Sequence, residues 1–197
     1  MSLKEYTFRN DKFLYNLADD EINVLVREYA LTGRTLLKVR KYYSYYPEKL
    51  GSILKTIKYF DDLFKDYKLE EGFLASYFDT FSELAYSSTK ELERKLVVLN
   101  SLGLMDTILF EFPYALLENN VLTSDKIYAI GRHLAEKGET PSYENIYLQN
   151  YGNEELTRIV NSHPLNPKKY NMYKIMYDIS RKKMREKEDG DEPFSIK

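Results

Sequence analysis

Residues 104–113 read LMDTILFEFP, and their conformation decides whether the chain is helical throughout or carries a small hairpin. Thr107, Ile108, Leu109, Phe110 and Phe112 mix β-branched, aliphatic and aromatic side chains, and Pro113 ends the run as it would end a strand. A buried helix accounts for the same residues, so both conformations compete there. On either side the pattern is helical. In PEKLGSILKTIKYFDDLFKDY, residues 47–67, Leu50, Ile53, Leu54, Ile57, Phe60, Phe64 and Tyr67 recur three and four apart, with Lys55, Lys58, Asp62 and Lys65 between them. Pro47 suits the first turn of that helix. LEEGFLASYFDTFSELAY predicts a helix over about 70–86, and STKELERKLVVLNSLG another over about 88–102, stopping near Gly103.

Upstream, DDEINVLVREYALTG predicts a helix capped by Asp19 or Asp20 and stopped by Gly33, followed by RTLLKVRKYYSYY at 34–46. Downstream, Ser124 is placed to cap DKIYAIGRHLAEKG, which Gly138 stops. A short helix follows Pro141 and breaks at Gly152-Asn153, EELTRIVNSH forms the next, and a charged helix runs from about 168 to 187. The expected fold is all-α, a multi-helical bundle of eight to ten helices with at most one small β-hairpin near 104–113. A division near 119–124 gives a helical domain over 1–120 and a smaller trihelical unit with the charged helix over 121–187. Residues 188–197 read as a disordered acidic tail.

Composition narrows the classes. The 197 residues are 43% hydrophobic and 30% charged, ordinary values for a soluble globular protein. Without cysteine there is no disulfide framework, thiolate zinc site or cysteine nucleophile, and a reducing cytoplasm fits. MSLKEYTFRN lacks an apolar leader core and no run approaches a membrane span, so no membrane association is expected. A net charge of −2 argues against coating nucleic acid by bulk charge. Charge is segregated, however. Residues 34–68 carry nine basic side chains against four acids, and residues 124–187 twelve against eight.

The stretch ELAYSSTKELERKLVVLNSLGLM, residues 83–105, places Ser88, Arg94, Leu96 and Leu99 before Gly103-Leu104-Met105. Over roughly 30 residues this resembles the helix-turn-helix of winged-helix DNA-binding proteins. The resemblance implies that Thr89, Lys90 and Arg94 face a major groove while the leucines hold the core, with DTILFEFP as the first arm of a wing. The bland alternative is a capped amphipathic helix in a bundle. Residues 125–160 resemble a second, trihelical helix-turn-helix unit. There Asn153 would cap a reading helix that exposes Glu154, Glu155, Thr157 and Arg158. In RTLLKVRKYYSYY, Arg34, Lys38 and Lys41 share one helical face with Tyr45, a basic-aromatic pattern that can follow single strands. Packed rings under lysine stems explain it equally.

Catalytic signals are sparse. No HExxH, glycine-rich phosphate loop or GxSxG is present, and neither a metal site nor a cofactor is expected. Arg158 and His163 fit Arg-x4-His, which resembles the signature of the HEPN helical ribonucleases. That resemblance implies phosphate stabilisation by Arg158 and proton transfer by His163. The tail EDGDEPFSIK is similar to the acidic, Pro-Phe-closed ends of single-strand-binding proteins, which dock partner proteins, although Ser195-Ile196-Lys197 extends beyond Phe194. Sequence thus points first to a small nucleic-acid-binding protein, a phage, plasmid or bacterial regulator or replication accessory acting on DNA or single strands. A helical protein-interaction adaptor without catalytic activity is the alternative, its partner recruited through the C-terminal tail or an aromatic surface.

Overall fold

The computed structural model describes residue 31 and residues 50–117 and 122–186. Among these residues every regular element is helical and none is a strand, in keeping with the all-α expectation. They fall into two compact units, residues 50–89 with 184–186, and residues 90–183. Residues 122–124, at the edge of the expected division, belong to the second unit.

In the first unit α1 (Leu50–Asp66) buries Ile53, Ile57, Phe60, Leu63 and Phe64, the stripe visible in the sequence, and leaves Lys55, Lys58, Asp62 and Lys65 exposed. The helix ends at Lys68, whose φ of 53° turns the chain. The single helix expected over 70–86 forms as two pieces, α2 (Phe73–Thr80) and a 3-10 turn (Ser82–Tyr86). At the break the Thr80 hydroxyl donates back to the Ser76 carbonyl at 3.3 Å, a bond that loosens a helix end. Tyr77 centres the aromatic core, its ring 4.8 Å from Phe64, 5.1 Å from Phe81 and 5.6 Å from Phe60. Burial there pushes its phenol well above the ordinary tyrosine range. Asp66, itself buried, receives Nε and Nη2 of Arg185.

The second unit is built around α3 (Thr89–Ser101), whose first residue still belongs to the first unit. Leu92, Leu96, Val97, Val98 and Leu99 are all fully buried, so apolar packing surrounds more than one stripe of this helix. Lys95 is buried among them, and its ammonium donates to the Leu117 carbonyl at 2.6 Å and to that of Leu116 at 3.4 Å. Those carbonyls close a 3-10 turn (Pro113–Leu116), whose last acceptors would otherwise stay unsatisfied in the core. Gly103, at φ 71°, ends α3 with Leu104 N–H on Leu99 O at 2.9 Å and Gly103 N–H on Asn100 O at 3.1 Å. This is a Schellman closure, and it needs the positive φ that glycine supplies without strain.

Of the two conformations that compete near 104–113 the helix forms, and not the hairpin arm: residues Met105–Phe110 are α4. The reason lies in the period. Leu104, Met105, Ile108 and Leu109 are the buried positions, one helical stripe, with Asp106 and Glu111 outside. As a strand the same run would alternate, placing Asp106 on the face of Leu104 and Ile108.

α5 (Ser124–Glu136) is capped by Thr123, whose hydroxyl accepts from Lys126 N–H, one residue earlier than expected, and a second Schellman turn at Gly138 closes it. A π turn (Glu144–Leu148) replaces the short helix expected after Pro141. Its entry is held by Ser142 and Asn145, each side chain accepting from the other's backbone N–H. Tyr143 stacks on Phe112 at 3.8 Å between ring centres and nearly parallel, and Tyr147 follows at 5.4 Å. α6 (Asn153–Ser162) packs on α5, and α7 (Pro167–Glu186) seats Tyr177 fully in the core.

Thr56 holds the first unit at the entry to α3. Its hydroxyl donates to the buried Ser87 carbonyl at 2.8 Å, with the Ser52 carbonyl at 3.0 Å and the Thr89 hydroxyl at 3.2 Å. Thr56→Val keeps the shape but leaves the Ser87 carbonyl short of a donor, and should cost about 1–3 kcal/mol. Urea unfolding followed by circular dichroism would read the loss; an unmoved midpoint would mean the hydroxyl contributes nothing.

Candidate functional site

The basic residues singled out from sequence fall only partly among the described residues. Arg34, Lys38 and Lys41 lie outside the described residues. Thr89 is half-buried with its hydroxyl on Thr56, and Lys90 alone at the front of α3 is exposed. Arg94 is committed inside the second unit. Its Nε donates to Ser124 Oγ and its Nη2 to Asp125 Oδ1, both at 2.9 Å, and the guanidinium lies 4.8 Å from the Tyr170 ring centre. These contacts engage two of the five guanidinium N–H donors. Glu83-Leu84-Ala85 sits in a 3-10 turn, and Gly103 opens a helix and not a wing.

The second sequence signal is better exposed. On α6, Arg158 lines an open groove with Asn153, Glu154, Thr157, Asn161 and Ser162. Gly152, not Asn153, stands at the N-cap. His163 ends α6 and is absent from that groove; its Nδ1 lies 3.5 Å from Glu136 Oε1 on α5. The fold brings up a partner that the sequence spacing hid. His133 of α5 stands 5.9 Å from His163, ring centre to ring centre. Burial, then Lys137, His163 and Arg158, hold the His133 imidazole below its ordinary pKa, while Glu155 pulls weakly the other way. Its Nε2 is shielded from solvent and has no hydrogen-bond partner. Among the described residues no group of three or more His, Asp or Glu side chains is arranged to hold a metal ion.

The largest feature that sequence inspection missed is on α7. One face packs inward through buried Tyr177 and half-buried Tyr170 and Tyr173. Lys174 ties that face to α3, its ammonium 3.3 Å from Glu93 Oε1 and 2.5 Å from Asp178 Oδ1. Burial alone would lower the Lys174 pKa, but the Asp178 and Glu93 carboxylates outweigh it and raise the value, keeping the charge. On another face Met172, Ile175, Met176 and Ile179 are 49%, 61%, 50% and 48% exposed. They stand at i, i+3, i+4 and i+7, a continuous helical stripe. Exposed Lys168 and Lys169 lie one turn before it, and exposed Lys182 and Lys183 one turn after. The signal was present in KKYNMYKIMYDISRKK: two apolar stripes in one helix, offset by more than a third of a turn, of which its own unit covers one.

No helix among the described residues is long and apolar enough to cross a membrane. No protein-family model, curated protein or solved structure matches the chain.

The depressed His133 pKa has a sign. Its folded-state value lies below the unfolded 6.5, so the unfolded chain binds the extra proton first and stability falls as pH drops below about 6.5. His133→Gln removes that term. Between pH 7 and 5 the urea midpoint of the variant should fall less than that of the parent; parallel curves would mean that His133 titrates normally.

Proposed function

We propose that the protein is a helical protein-interaction module that works through the outer face of α7. The observation supporting this most directly is the Met172, Ile175, Met176 and Ile179 stripe, left about half in water on a helix whose tyrosine face is already used. Scattered exposed apolar residues need no explanation, but four at helical spacing form one patch. Magnitude sets the kind of association. Covering the exposed halves of four such side chains yields roughly 3–6 kcal/mol. Association itself costs at least about 4 kcal/mol in lost translation and rotation. The stripe alone therefore supports weak binding, and the flanking lysines add rate and selectivity.

A second reading, nucleic-acid binding, keeps one specific support. α7 carries seven basic side chains against two acidic ones, with Lys168, Lys169, Lys182 and Lys183 exposed.

A photo-crosslinking residue at Ile175 separates the two in the cell that expresses the chain. The first reading expects a discrete protein adduct that Met172→Asp with Ile179→Asp abolishes, while the fold keeps its stability within about 0.5 kcal/mol, as surface changes do. Adducts to nucleic acid, or none, would overturn it. Nucleic-acid binding instead expects affinity for oligonucleotides to fall with salt at a log–log slope of roughly −0.9 per phosphate contact on duplex DNA. Changing the four lysines to glutamine would then flatten the slope by about one unit per lost contact.

A further inference from the structure

Resting on the interaction reading of α7, we propose that its occupant is an acidic amphipathic helix: apolar at i, i+3, i+4 and i+7, with carboxylates at both ends. Three features of the surface select it. The first is period. Met172, Ile175, Met176 and Ile179 form one ridge of a helix, and a ridge of this spacing seats in the groove of another helix. The second is composition. Met172 and Met176 are unbranched and polarizable, and mould to a partner ridge more readily than branched side chains do.

The third is charge, and it decides between occupants. Lys168 and Lys183 are separated by about 22 Å of helix, and Lys169 and Lys182 lie just within them. If a second copy lay antiparallel across the stripe centre, Lys168 would face Lys183 and Lys169 would face Lys182. A parallel copy would set each lysine against itself. Both arrangements put like charges together at both ends, and like-charge juxtaposition rejects partners. Of the two acids on α7, Asp178 already holds Lys174 at 2.5 Å, and Glu186 lies at the far end of the helix, away from Lys168. A helix with aspartate or glutamate near its two ends makes the contacts at Lys168 and Lys183 attractive instead of repulsive, and its apolar ridge covers the stripe. Anionic lipid shares part of this chemistry. It is less well served here, because the aromatic side chains of α7 that would sit at a lipid interface, Tyr170, Tyr173 and Tyr177, are turned into the unit.

The test uses the full chain and two synthetic helical peptides of about 18 residues with the same leucine pattern, one ending in glutamates and the other in lysines. Fluorescence anisotropy should show the glutamate peptide binding at least tenfold more tightly than the lysine peptide. Ile175→Asp with Met176→Asp should abolish binding, and raised salt should weaken it. Equal binding of both peptides, lost in the Asp variant, would overturn the acidic assignment and leave the interaction reading standing. Concentration-dependent dimers in sedimentation that the Asp variant dissociates would assign the face to a second copy and overturn the proposal. Binding to vesicles of phosphatidylglycerol and phosphatidylcholine with neither peptide bound would overturn both the proposal and the reading beneath it. Neither peptide bound, with no vesicle binding and no dimer, would overturn the proposal alone; the crosslink at Ile175 then decides the interaction reading.

Discussion

The arrangement of the second unit turns on one guanidinium. Arg94 reaches from α3 to the first turn of α5 through Ser124 and Asp125, and its flat face rests on Tyr170 of α7. A half-exposed ion pair alone is worth little. What matters here is that two directional bonds and a ring contact converge on one rigid group. With Tyr170 held there and Tyr177 buried farther along, the rotation of α7 about its axis is fixed, and the methionine-isoleucine stripe has to face outward. Lys174, bound to Glu93 on the same α3 helix, repeats the constraint one turn on.

That geometry reorders the functional candidates. A recognition helix needs a solvated face with free donors, and α3 has surrendered most of its surface to packing. Its polar front is reduced to Lys90, with Glu91 and Glu93 beside it half-buried. α6 is open, yet Glu154 and Glu155 in its first turn set carboxylates where phosphates would approach. His163 meets Glu136 and stands 5.9 Å from His133, ring centre to ring centre, and both His163 and Arg158 act on the His133 imidazole. Among the described residues, a stripe of exposed apolar side chains bracketed by exposed lysines is found on α7.

Much of the helical class was legible because periodicity is a property of neighbours in sequence. The α1 stripe, the stops at Gly103 and Gly138 and the breaks at Pro141 and Gly152 were all local signals. The period of residues 104–113 was readable too: Asp106 breaks the alternation a strand needs, while the β-branched and aromatic content kept the strand in competition with the helix. Tertiary facts were not readable. Nothing near Arg94 in sequence announces Ser124, Asp125 or Tyr170, which lie 30 to 76 residues away. The His133–His163 pair was hidden likewise by 30 residues of chain. On α7 both stripes were visible, but only the fold says which one its own unit covers. Residues 34–46 and the tail at 188–197 lie outside the described residues, and the expectations placed on them stand as sequence expectations alone.

The clamp has an evolutionary consequence. Positions 94, 125 and 170 answer to one another, so in chains descended from this one an exchange at any of them invites compensation at the other two. The stripe at 172, 175, 176 and 179 stands about half outside its own unit's packing. Its drift is tied to whatever surface it meets, and related chains that serve different partners would diverge there first while their cores stay alike. Two rates of change would then be written along a single helix, every third or fourth residue alternating between the history of the fold and the history of the partner.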